Sequence, residues 1–298
     1  MRVTVKEPAT LIAFLQSKMP EASTTKLRSL LKYKSVLVDG VPQPVANTPV
    51  ARGQVIEILS TTQRAVNNAR VVAPFKVLFE DEFILAVDKP RGWLSIARED
   101  ETRETLYQHV YDYVQAASNG KQRCFIVHRL DREVSGVMLF AKTEEAKRRL
   151  MLNWDQNQKI YAAVVEGLPE PRRATIESHL DESQPARVRV VAQAKDTRGA
   201  ITHYEVIKYS PKHALLEVNI ETGRRHQIRA HLSSIGCPIA GDKRYGAKTN
   251  PLRRVGLHAW RLSFEHPITK QRMNIESPPP ASFFKLNPTA PPPPRHRH

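Results

Sequence analysis

Apolar residues return at helical spacing in T10-L-I-A-F-L-Q-S-K18, where Leu11, Ile12 and Leu15 form one face. Ser23 or Thr24 can cap a second helix, T24-T-K-L-R-S-L-L-K-Y-K34, with Leu27, Leu30 and Leu31 on its inner side. Lys26, Arg28, Lys32 and Lys34 fall largely off that side, toward solvent or a phosphate backbone. The pattern then becomes strand-like. V36-L-V-D-G-V41 places a strong Asp39-Gly40 turn signal between β-rich arms, and V55-I-E-I-L59 predicts a further short strand. Together these predict a small α+β unit. The stretch T61-T-Q-R-A-V-N-N-A-R70 is polar and aperiodic, as a linker is.

From about residue 73 strands dominate. V77-L-F79 and F83-I-L-A-V-D88 flank the acidic turn E80-D-E82. E104-T-L-Y-Q-H-V-Y-D-Y-V114 predicts a helix, and T143-E-E-A-K-R-R-L150 another, with acids in the first turn where the helix dipole favours them. Y161-A-A-V-V-E-G167, I201-T-H-Y-E-V-I-K-Y209 and L215-L-E-V-N-I-E221 predict strands. In the last, Leu216, Val218 and Ile220 alternate with Glu217, Asn219 and Glu221, the mark of a half-buried antiparallel strand. No regular βαβα alternation occurs, so an α+β fold with a large mixed or antiparallel sheet is expected. The pattern divides the chain into residues 1–62, a linker 63–72, a main domain 73–285 and a tail 286–298. The end of that tail, A290-P-P-P-P-R-H-R-H298, cannot pack a core.

Charge adds a partner to this outline. In 298 residues, 46 Lys and Arg against 30 Asp and Glu leave +16, a field that attracts polyanions, so nucleic acid is the first partner to consider. On charge alone, a basic surface without a specific ligand stays open. Cys124 and Cys237 lie far apart and in no C-x-x-C pair, which suggests neither a disulfide framework nor a thiolate metal site and fits a reducing cytosol. The opening M1-R-V-T-V-K-E-P8 has no apolar targeting core, and no run approaches the roughly 18 apolar residues of a membrane span. A cytoplasmic protein with no membrane partner is expected.

Two segments carry the candidate chemistry. I126-V-H-R-L-D-R-E-V-S-G-V-M-L-F-A141 inserts His128, Arg129, Asp131, Arg132 and Glu133 between segments that read as buried strands. A solubilising hairpin would prefer Asn-Gly or Asp-Gly at its turn. The second segment is E221-T-G-R-R-H-Q-I-R-A-H-L232. Thr222-Gly223 can turn the chain into a short helix on which Arg225 and Arg229, four residues apart, share one side. Such a pair suits a carboxylate or phosphate, because the guanidinium fork donates two parallel hydrogen bonds; a surface ion pair fits this segment equally. The chain has no G-x-x-x-x-G-K-[ST], G-x-G-x-x-G or G-x-S-x-G, and its 11 histidines never form H-E-x-x-H. Chemistry with no metal and no cofactor is expected.

Six segments, in order, resemble the motifs of the RluA-type pseudouridine synthases. They are V77-L-F-E-D-E-F-I-L-A-V-D-K-P-R-G92, H128-R-L-D-R-E-V-S-G136, K159-I-Y161, T222-G-R-R-H-Q-I-R-A-H231, G241-D-K-R-Y-G246 and the run from Leu257 to Pro267, L-H-A-W-R-L-S-F-E-H-P. The N-terminal unit, two helices with the second basic and then Val-x-Val-Asp-Gly, resembles the RNA-binding module named after ribosomal protein S-four. The resemblance implies a catalytic domain with a mixed, largely antiparallel central sheet and an RNA cleft, preceded by the S-four-like domain. Val134, where the family has Thr, and Arg225, where a smaller polar residue is usual, depart from the pattern.

The implied activity is isomerisation of specific uridines to pseudouridine in structured RNA, large-subunit ribosomal RNA first and tRNA second, by a monomer. The reaction breaks the bond from ribose to uracil N1, turns the base and rejoins it through C5, with no net redox change. By resemblance, Asp131 is the catalytic carboxylate, Arg229 its ion-pair partner and Tyr161 the aromatic platform for the base. Everting the target costs a few kcal/mol of unstacking; Arg129 is expected to fill the vacated stack. His128, Arg132, Lys159 and Arg225 are expected to contact RNA, as are Lys26, Arg28, Lys32 and Lys34 in the N-terminal unit. A non-catalytic RNA-binding ribosome-assembly protein also fits the charge, but it has no need of a carboxylate facing Arg229. A glycosidase normally uses two cooperating carboxylates.

Overall fold

The computed structural model describes residues 2–32, 35–43, 45–59, 73–97, 105–118, 120–184, 186–194 and 196–285, the side chains of residues 29 and 32 excepted. The proposed linker 63–72 and tail 286–298 lie outside the described residues. The chain forms two compact units, one of residues 1–73 with 108–123 and one of residues 74–107 with 124–298. The hydropathy pattern groups 108–123 with the main domain.

In the first unit, strands β1 (Arg2–Thr4), β2 (Ala9–Thr10), β3 (Val36–Val38), β4 (Val41–Pro42), β5 (Pro49–Val50) and β6 (Val55–Ile58) accompany helices α1 (Leu11–Lys18) and α2 (Thr24–Lys32). The sheet order is β1-β6-β3-β4, and β2 pairs separately with β5. Thr10 accepts the Ala13 N–H to cap α1, and Ser23 Oγ accepts the Lys26 N–H at 3.2 Å to cap α2. Asp39 and Gly40 have φ of 50° and 81°, the pair of left-handed residues that a tight hairpin demands. The Asp39 carboxylate then ties the hairpin to β6 by accepting from Val55 N at 2.8 Å and Gln54 Nε2 at 2.9 Å. Leu11, Leu15, Leu27, Leu31, Val36 and Ile56 form the core. Helix α3 (Leu106–Ala117) supplies most of the 108–123 segment.

The second unit is built on one mixed sheet of strands β7 (Lys76–Glu80), β8 (Ile84–Lys89), β9 (Phe125–Ile126), β10 (Ser135–Ala141), β11 (Gln158–Glu166), β12 (Arg173–Asp181), β13 (Arg189–Val191), β14 (Arg198–Tyr209), β15 (His213–Ile220), β16 (Leu257–Glu265) and β17 (Arg272–Glu276). Its path is β13-β12-β14-β15-β11-β16-β10-β8-β7, with β17 on β16 and β9 on β10. Among the described strands β10 and β16 form the one parallel pair, Ser135 opposite His258 and Gly136 opposite Ala259. The helices of this unit are α4 (Glu144–Leu152), capped by Thr143, α5 (Gln227–Ser234) and the short α6 (Ala281–Phe284). No helix among the described residues is long and apolar enough to cross a membrane.

Ser135 and Gly136 already belong to β10, so this glycine serves a close approach of paired backbones, not a turn. Gly136 has φ of 116°, and a Cβ there would lie 2.1 Å from the Ala259 carbonyl oxygen. Only glycine lets β10 and β16 approach so closely. The close parallel pair sets the mid-sheet position at which the charged loop before β10 emerges.

Candidate active site

The loop between β9 and β10 is held from beneath by groups that leave Asp131 free to face outward. Ser95 Oγ donates to the Leu130 carbonyl at 2.6 Å and accepts the Leu130 N–H at 3.0 Å. Lys89 is 0% exposed and donates to the carbonyls of Val134 at 2.7 Å, Pro90 at 3.1 Å and Arg132 at 3.4 Å. Burial lowers the Lys89 pKa to about 8, against the pull of Asp131 and Glu133. The Gly92 N–H donates to the Arg132 carbonyl, and the Val134 N–H to the Asp131 carbonyl, closing the turn. Buried Leu130 and Val134 are its apolar anchors.

Arg229, on the first turns of α5, reaches this loop. Its Nη1 donates to Asp131 Oδ2 at 2.9 Å and lies 3.6 Å from Glu133 Oε2. Its other edge grips Asp242, Nε to Oδ2 at 2.6 Å and Nη2 to Oδ1 at 3.0 Å. Arg229 and Asp242 are each 2% exposed. Burial alone would lower the guanidinium pKa, but the hydrogen bonds and charges of Asp242 and Asp131 outweigh it and the net shift is upward. The Arg229 guanidinium also lies over the Tyr245 ring, 5.1 Å from its centroid. Asp242 and Tyr245 are site residues that sequence reasoning missed; their only signal is a place inside G241-D-K-R-Y-G246, one of the family-like motifs.

The expected pairing of Arg225 with Arg229 on one helix side is corrected. Helix α5 begins at Gln227, and His226 before it has φ of 52°, so Arg225 precedes the helix. The Arg225 guanidinium donates to the carbonyls of Glu182 at 2.8 Å and Gln184 at 2.7 Å, and its N–H to the Glu182 carboxylate. The remaining residues of the motif orient the turn. Gln227 Oε1 accepts from Thr222 Oγ1 and Arg224 N, while its Nε2 donates to Ile201 O and Thr202 Oγ1. Fully buried His231 bridges Thr202 and Ser178, and burial lowers its pKa to about 4.

The cleft above Asp131 is lined by Arg129, Tyr161, Arg224, His226, Arg229 and Leu257, among others. Tyr161 stands in β11 beside an irregularity in its pairing with β16. Burial, and then the Asp131 charge, raise its phenol pKa. Arg129 and Arg132 are exposed on the same loop. Two residues expected at the RNA surface lie elsewhere. His128 Nε2 accepts the Leu139 N–H at 2.9 Å and its ring stacks on Trp154 at 4.8 Å; burial lowers its pKa to about 3, so it is neutral structural packing. Lys159 is 6% exposed, its ammonium donating to the carbonyls of Trp154, Asp155 and Glu221. In the first unit Lys26 and Arg28 are exposed, while the Lys32 side chain and Lys34 lie outside the described residues.

Comparison with known proteins identifies a family. The RNA pseudouridylate synthase family matches residues 83–234, which include the Asp131 loop, Tyr161 and Arg229. The chain is 31% identical over 279 residues to the uncharacterized RNA pseudouridine synthase YlyB of Bacillus subtilis, covering 92% of this chain and 91% of that one. It is 32% identical over 285 residues to ribosomal large subunit pseudouridine synthase D of Nitrosomonas europaea, covering 91% and 81%. The solved structure of human RNA pseudouridylate synthase domain containing 4 shares the fold, with a TM-score of 0.60 at 22% identity, over 76% of this chain and 95% of that one. The chain belongs to the RluA-type RNA pseudouridine synthase family. It is an RNA-modifying isomerase.

Proposed function

We propose that this protein converts specific uridines of large-subunit ribosomal RNA to pseudouridine, with Asp131 as the catalytic carboxylate and no cofactor. The observation that carries the reading is the Asp131–Arg229–Asp242 chain at the floor of an open cleft. Attack on the ribose, attack on the base and removal of a sugar proton all call for a carboxylate at a fixed point. Arg229 supplies that fixed point and compensates the charge, and Asp242 locks Arg229. Tyr161 and Arg129 line the cleft with the carboxylate; in this reading the Tyr161 ring stacks on the target base and Arg129 fills the stack that the base has left. The ribosomal target rests on the name of the Nitrosomonas relative.

Residues 1–62 are assigned as an S-four-like RNA-binding domain, with Lys26 and Arg28 toward phosphate, and residues 73–285 as the catalytic domain. The test is a carbodiimide-based pseudouridine map of total RNA from cells with and without the gene, since isomerisation leaves mass unchanged. Loss of one or a few ribosomal sites, restored by wild type and not by Asp131→Ala or Asp131→Asn, is the expected result. Purified Asp131→Asn should still bind RNA. Normal pseudouridine formation by either variant would sink the catalytic assignment, and loss of sites only in tRNA would move the target there.

A further inference from the structure

His226 lines the cleft, yet the Asp131–Arg229–Asp242 chain does not use it. Its left-handed backbone, φ 52° and ψ 18°, costs a residue with a Cβ on the order of 1 kcal/mol, and such strain persists only where the surroundings enforce it. The ring is fixed from behind. Nδ1 lies 2.9 Å from the hydroxyl of buried Tyr245, and that oxygen accepts the Val188 N–H at 2.9 Å. With the phenol O–H donating to Nδ1, the imidazole hydrogen is on Nε2.

Nε2 faces Asp131 Oδ2 at 3.7 Å, beyond hydrogen-bond length. That oxygen already has Arg229 at 2.9 Å. Asp131 is therefore anchored without the histidine, whose ring lines the same cleft. Burial, with Arg229, Arg225 and Arg244 nearby, lowers the imidazole pKa against the opposing charge of Asp131, so the ring donates as a neutral group.

We propose that His226 recognises the everted base, its Nε2–H donating a hydrogen bond to a uracil carbonyl oxygen, with Tyr245 as the positioning residue that fixes the tautomer. This rests on the reading of the Asp131 cleft as the uridine site. The bond gains strength during reaction. As the N1–C1′ bond breaks its electron pair passes to the uracil, spreading charge onto the carbonyl oxygens, while C1′ is supplied by a bond from the Asp131 carboxylate or by loss of the C2′ proton to it. A donor already aimed at such an oxygen stabilises the transition state more than the bound substrate.

The test uses the full chain and RNA from cells lacking the gene, with conversion of the mapped site followed under single-turnover conditions. His226→Phe should slow conversion about 10- to 100-fold with RNA affinity unchanged, and His226→Gln, which keeps a side-chain N–H, should recover most of the loss. Nitrogen-15 spectra of histidine-labelled wild type should show the proton on Nε2, and Tyr245→Phe should abolish that preference. A wild-type rate in His226→Phe, a Gln variant no better than Phe, or a proton resident on Nδ1 in the wild type would overturn the proposal. The spectrum decides it even if the variants fail to fold. Conversion of the site by Asp131→Ala would instead overturn the cleft assignment beneath it.

Discussion

Arg229 holds two carboxylates at once, and the two are not equivalent. Asp131 is partly exposed to the cleft, whereas Asp242 has no solvent to fall back on. Arg229→Ala therefore strands Asp242 in the interior and should destabilise the fold by about 3 to 5 kcal/mol, whereas Asp242→Ala leaves the guanidinium its bond to Asp131 and should cost less. The double variant should be no worse than Arg229→Ala alone, since it removes the buried carboxylate that the single variant strands. Urea unfolding of the four proteins measures this cycle, and strict additivity would contradict it. That Asp131, Arg229 and Tyr161 meet at one cleft follows motifs that carry them by residue type and order. Asp242 was not legible, because nothing in its spacing says which arginine it meets. His128 and Lys159 show the converse error. A charged letter beside a catalytic motif reads as a ligand contact, yet here the imidazole accepts a buried amide and the ammonium caps three carbonyls.

At the level of elements, the strands with strict alternation were readable, and β15 has Leu216, Val218 and Ile220 buried as the pattern requires. The cap of α2 was also readable, since Ser23 acts through a single side-chain bond close in sequence. Strands β12 and β13 were missed. Their residues are exposed or half-buried along most of their length, so no apolar period marks them. The parallel contact of β10 with β16 was equally hidden, because it joins residues more than a hundred positions apart. It makes Gly136 a critical residue of the sheet. Gly136→Ala adds one methyl group into the Ala259 backbone at a positive φ, and should cost about 3 kcal/mol or more. A thermal melt compares it with Gly92→Ala, where positive φ recurs but nothing lies within 4 Å of the new Cβ. Equal losses in the two variants would show that conformation, not the close approach of β10 to β16, sets the cost.

For the whole molecule the governing quantity is the net charge of +16 on a protein whose substrate is a polyanion. Charge of this kind supplies affinity and encounter rate without choosing a uridine, because phosphate contacts carry no sequence information. Selection must then come from the cleft and from RNA shape, while we propose that the basic α2 of the first unit adds grip. Lys26→Ala and Arg28→Ala remove exposed charges from a helix whose core residues, Leu27, Leu30 and Leu31, stay in place, so the fold should be untouched. Where either side chain grips a phosphate, its removal should lower the slope of log affinity against log salt by roughly 1, with weaker binding at low salt and convergence with wild type at high salt. The rate on saturating RNA should stay the same, since neither residue lines the Asp131 cleft. An unchanged salt slope in the double variant would remove α2 from the RNA-binding surface and leave the grip to the exposed arginines around Asp131.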